Sequence, residues 1–172
     1  ESGIGYFSAR AEIADSKIMG IIIGWGGVAA LLVTVVYQVS RWMGINMSYP
    51  LTYPLFFIIG NLLINYGNAY CLSKYRFMLP NIISVTISCL LILLLFVSSQ
   101  WRKNPDGFID FYFFSFLLQG ILLYGSILYY NKWQLSFSFS DIGPLARYSL
   151  VAFAANLLTL VLNRIDYVFV KN

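Results

Sequence analysis

The stretch Leu51–Leu72, "LTYPLFFIIGNLLINYGNAYCL", decides the fold. It carries no Asp, Glu, Lys or Arg, and it is long enough to cross a hydrocarbon core, which takes roughly 20 helical residues. Three amides interrupt it. Asn61, Asn65 and Asn68 are spaced by four and then three, so at about 100° per residue they share an arc of about 60° on one helix face. Amides turned to lipid are costly, which leaves two readings of that face: the wall of a hydrophilic cavity, or hydrogen-bonding glue between helices.

Working outward, the same apolar character recurs four more times, at Ile18–Val39, Leu79–Val97, Ile109–Tyr130 and Leu145–Val170. Hydrophobic residues make up 59% of the chain and charged residues 10%, with a mean hydropathy of +0.74. That is too little charge to cover a water-soluble surface, so lipid is the expected solvent. Nothing alternates with the period of a barrel strand, and an all-α polytopic membrane helix bundle is predicted. Trp42, Trp101 and Trp133, with Tyr49, Tyr75 and Tyr148, fall in or beside the breaks between spans, as an interfacial aromatic belt would.

The net charge of +4 is spread without a basic cluster, which argues for membrane topology and against nucleic-acid binding. Arg10, Lys17, Lys74, Arg76, Lys132 and Arg147 fall on the side of the N-terminus; Arg41, Arg102, Lys103 and Lys171 fall on the other. The excess predicts a cytoplasmic N-terminus. The chain has no histidine, and no nucleophile–base set, phosphate loop or metal-ligand spacing is visible. No enzyme activity, cofactor or metal is expected. Cys71 and Cys89 suggest no disulfide framework. The chain opens at "ESGIGYFSAR" and ends inside an apolar run, so it is expected to be an excerpt of a longer protein.

Further polar faces lie inside the other spans. Asn156, Thr159, Asn163 and Asp166 share one face of the last, while Arg164, two residues from Asp166, turns away from it. Tyr112, Ser115, Gln119 and Ser126 share a face of the fourth. Gly20, Gly24 and Gly27 line one face of the first, where another helix is expected to approach closely. In "FSFSDIGPLARY", at the end of a 131–144 linker, Asp141 is a candidate N-cap and Pro144 suits the first helical turn. Asp106 and Asp110 are expected to cap the start of the fourth span.

Three segments carry a family resemblance: "GIGYFSARAEIADSKIMGIIIG" (3–24), "GNAYCLSKYRFMLPNIIS" (67–84) and "ARYSLVAFAANLLTLVLNRIDYVFV" (146–170). With their Gly3–Arg10, Lys74–Asn81 and Asn163–Asp166 elements they resemble the polysaccharide biosynthesis, O-antigen flippase-like family. That family belongs to the multidrug/oligosaccharidyl-lipid/polysaccharide exporter superfamily. The resemblance implies that residues 1–17 trail from a second span and that 18–130 hold spans three to six of an N-terminal lobe. Residues 145–172 would then open a second lobe. It implies an alternating-access flippase in the cell inner membrane, moving a polyprenyl-diphosphate-linked oligosaccharide. Polysaccharide assembly enzymes, membrane lipids and a coupling ion are possible partners.

On this reading Asn61, Asn65, Asn68, Gln119, Asn156, Asn163 and Asp166 line the cavity, and Arg10 or Arg164 meets phosphate. An ion or drug antiporter of the same superfamily is the alternative, with Asp166 as its carboxylate. A membrane-embedded polysaccharide polymerase or a purely structural subunit are the others.

Overall fold

The computed structural model describes residues 2–45, 49–97, 106–138 and 141–170, with residues 159–170 as helical backbone only. Six helices and no strand occupy the described residues. They are α1 (Ser2–Arg10), α2 (Asp15–Trp42), α3 (Thr52–Ser73), α4 (Met78–Val97), α5 (Asp106–Tyr130) and α6 (Ile142–Val170). The predicted all-α bundle is the observed one. Helices α2 to α5 are each long and apolar enough to cross a membrane, and the chain is a multi-pass membrane protein. The fifth predicted span lies within α6, whose described apolar portion runs over Ile142–Leu158.

Helices α3 and α5 form the most extensively packed pair, and they run parallel. Along α3, the Tyr53 ring stacks 4.9 Å from Phe113 and Phe57 meets Phe116 at 5.1 Å. Gly60 then meets Leu117 and Gly120, Gly67 meets Leu123, and Tyr70 meets Asn131. Two glycines make this approach possible. A Cβ on Gly60 would lie 2.7 Å from the Leu117 backbone nitrogen, and one on Gly120 would lie 2.9 Å from the Gly60 carbonyl oxygen. Side chains at either position would hold the two backbones apart.

The predicted strip on α2 serves a different partner. Gly20 lies beneath the Ser136 carbonyl, Gly24 lies against the Phe137 ring, and nothing stands within 4 Å of where a Gly27 Cβ would be. The strip therefore receives non-helical residues of the α5–α6 linker and not a helix. The linker is tied down there: the Ser136 amide donates to the Ser16 carbonyl at 3.1 Å, and the Ser16 and Ser136 hydroxyls are 3.0 Å apart. Gly20→Val should lift residues 134–138 off α2, because the obstructing atoms are backbone. Faster proteolysis of the linker in Gly20→Val, with no change in Gly27→Val, is the expected result.

The buried core is concentrated at one end of the bundle, where α2 begins and α3 and α5 finish. Ile18, Met19 and Ile22 of α2, Cys71 of α3 and Leu123 and Ile127 of α5 are all but inaccessible there. Tyr124 Oη donates to the Met19 carbonyl at 2.5 Å and joins α5 to α2. Elsewhere the helices present apolar side chains outward, as Ile82, Val85 and Leu93 of α4 do, which suits a lipid-facing surface.

Candidate functional site

Away from that core, α2, α3 and α5 line an open cleft of about 890 Å³. Leu32, Val33 and Val36 of α2 form one wall, and Pro54, Phe57 and Ile58 of α3 form the floor. Ile109, Tyr112 and Phe113 of α5 complete it, and among the described residues no charged side chain lines it. Two tyrosine hydroxyls at the rim are hydrogen-bonded within the protein. Tyr37 Oη donates to the Tyr49 carbonyl at 3.1 Å, and Tyr53 Oη donates to Asp110 Oδ1. Asp110, expected as a helix cap, thus accepts a bond across the α3–α5 seam.

The amide row on α3 continues this cleft. Pro54, Ile58, Asn61, Asn65 and Asn68 follow steps of four, three, four and three, so the floor and the amides are one stripe of the same helix. Asn61 and Asn68 are half-buried and Asn65 is exposed. Asn68 Oδ1 is shut off from solvent with no hydrogen-bond partner, a state that costs about 1–3 kcal/mol.

Gln119 belongs to the same side. Asn61 follows the contact glycine of α3 by one residue, and Gln119 precedes the contact glycine of α5 by one. On parallel helices facing each other, rotations of +100° and −100° turn to the same side of the seam. Tyr112, seven residues before Gln119, lines the cleft on that side. The two predicted polar faces are therefore brought together at one depth. The serines of the α5 face are not available: Ser115 Oγ donates to the Tyr112 carbonyl at 2.6 Å and Ser126 Oγ to the Leu122 carbonyl at 2.8 Å.

Asn156 and Arg10 lie elsewhere. Asn156 is exposed on α6, a helix that packs on α1, and the structure does not bring it to the cleft. The side chains of Asn163, Arg164 and Asp166 are outside the described residues. Arg10 is exposed at the end of α1, 3.4 Å from Glu12 and with its guanidinium 4.6 Å from the Tyr6 ring centre.

Arg10 shares the closed end with the other basic residues assigned to that side. Lys74 Nζ lies 3.0 Å from Asp15, Lys17 Nζ lies 2.8 Å from Asp141, and the Arg76 guanidinium sits 4.4 Å over the Tyr130 ring. The carboxylate expected to cap α6 thus reaches across to α2. Lys17, with a further hydrogen bond from Ser138, holds the Asp141 carboxyl below the usual carboxylate range. A lowered folded-state value means that the pair stabilises the folded chain above the ordinary carboxylate range and is lost as pH falls through the lowered value. Linker proteolysis should accordingly rise on acidification below the ordinary carboxylate range, and Lys17→Met should remove that dependence.

The sequence missed the Gly60–Gly120 crossing and the cleft itself. The available signal was the seven-residue spacing of Gly60 and Gly67 beside the amides. Comparison with protein-family models, curated proteins and solved structures gives no match to this chain.

Proposed function

We propose that this chain belongs to a membrane transporter that carries a polyprenyl-diphosphate-linked oligosaccharide across the inner membrane by alternating access. One observation carries the reading: an apolar cleft between spans passes, along the same faces of α3 and α5, into Asn61, Asn65 and Gln119. Such a surface suits a molecule that is part hydrocarbon and part hydroxyl-rich head. Amides both donate to and accept from sugar hydroxyls, and they carry no charge that would make release from the membrane interior costly. The segments resembling the O-antigen flippase-like family support the same reading, as does the closed basic end, which we take to be cytoplasmic.

In this reading the bundle is seen closed at its cytoplasmic end and open toward the other. The test is reconstitution of the protein in phospholipid vesicles with a fluorescent prenyl-diphosphate oligosaccharide. Protein-dependent loss of its accessibility to an external quencher or glycosidase is expected. Transport of a small cationic drug and not of the glycolipid would favour the antiporter reading.

A further inference from the structure

We propose that the α2–α3–α5 cleft is a binding site for the hydrocarbon chain of the transported amphiphile, held there while its head lies on the amide row. The proposal rests on the transporter reading above and gives it a second, apolar subsite. Three features of the structure point to this occupant. First, the cleft is of ligand size, about 890 Å³, within the range of roughly 300–1,000 Å³ typical of small-molecule sites. Its floor and walls are aliphatic and aromatic throughout. Second, it is continuous with the amides. From Pro54 to Asn68 the stripe climbs roughly 21 Å along α3 at 1.5 Å per residue. An occupant that satisfies the whole stripe has a polar part beside an apolar one, which a bulk acyl chain or an apolar protein segment does not.

Third, the cleft is open and its walls are apolar. Tyr124 ties α5 to α2 near the closed end, whereas at the other end Leu32, Val33 and Val36 of α2 and Ile109, Tyr112 and Phe113 of α5 line the open cleft. A hydrocarbon chain passing from the bilayer onto such a lining stays in apolar surroundings. The order of the subsites also fits an amphiphile: from the closed end the stripe runs Asn68, Asn65, Asn61 and then Ile58 and Pro54, so a head lying on the amides has its tail extended toward Ile58 and Pro54.

The experiment places the protein in vesicles of phosphatidylethanolamine and phosphatidylglycerol. It uses a prenyl-diphosphate oligosaccharide carrying a diazirine at the far end of its chain, and a phosphatidylcholine carrying one in an acyl chain. Photolysis with the first probe should label peptides containing residues 32–37 and 53–58, and excess unlabelled glycolipid should suppress that labelling. Ile58→Trp and Val36→Trp fill the cleft from opposite walls, and each should cut the labelling about tenfold, equivalent to about 1.4 kcal/mol. Ile92→Trp, on the outer surface of α4, should not.

Equal labelling by the phospholipid that the glycolipid fails to compete would show bulk lipid alone and overturn the proposal. So would labelling that both cleft substitutions leave intact, or its absence from these peptides. Glycolipid transport that persists in both cleft variants sinks the tail site and leaves the transporter reading standing. No transport by the unsubstituted protein sinks the transporter reading, while competed labelling still decides the cleft.

Discussion

Gly60→Ala is expected to lower the unfolding midpoint of the protein in mild detergent, and Gly60→Leu to prevent the native bundle from forming. The reason is what the new Cβ meets. The Phe116 carbonyl and the Leu117 nitrogen are backbone atoms of a second helix, and they cannot swing aside as a side chain does. Overpacking of this kind costs about 1–3 kcal/mol, against which the better helix propensity of alanine returns up to about 1 kcal/mol. Gly120→Ala should behave alike, since its Cβ would meet the Gly60 carbonyl and Leu63 Cβ, each at 2.9 Å.

Two comparisons make the prediction specific. At Gly67 the nearest obstruction is the end of the Leu123 side chain, which can change rotamer, so Gly67→Ala should be milder. At Gly27 nothing stands within 4 Å, so Gly27→Ala should be neutral or slightly stabilising. Equal midpoints for Gly60→Ala and Gly67→Ala would mean that the α3–α5 seam does not depend on backbone contact.

Asn68→Leu is expected to leave the bundle at least as stable as before and yet to impair glycolipid transport. The two effects have separate causes. The enclosed Asn68 Oδ1 has no partner, so its removal from an apolar span relieves a cost of about 1–3 kcal/mol. On the transporter reading proposed above, transport falls because the hydrogen bond that this amide makes to the sugar, once the bundle opens at that end, is lost. Losing one amide contact worth about 1.4 kcal/mol slows the step that uses it about tenfold. Asn65→Leu, at the exposed position of the row, should show the transport loss without a change in stability. Asn61→Leu combined with Gln119→Leu should compound it, because both walls lose their amides at one depth. Normal glycolipid transport in all of these variants, at normal abundance, would return the row to interhelical glue.

This opposition of stability and transport separates the readings that the sequence left open. If the amides were glue, their replacement would loosen the bundle and affect transport only through misfolding. The positions of Asn61, Asn65 and Asn68 on a single face were legible from their spacing alone. Their relation to Gln119 was not, because it depends on α3 and α5 running parallel with Gly60 against Gly120. The glycines of α2 teach the complementary lesson. Gly20 and Gly24 were rightly marked as points of close approach, but the approaching chain is the linker at Ser136 and Phe137, which no helix periodicity announces.

What the sequence determined by itself is the class and the elements. Apolar runs of spanning length must satisfy their own backbone in lipid, and only helices do so within a single segment. Local chemistry likewise placed the polar faces, since each depends on residues within a turn or two of one another. Tertiary structure alone decided which faces meet: the seam at Gly60 and Gly120, the core gathered at one end, the cleft left open at the other, and Lys17 paired with Asp141 across 124 positions of chain (141 minus 17). A glycine or a lysine has no partner until the helices cross, and the crossing is set by how whole surfaces fit.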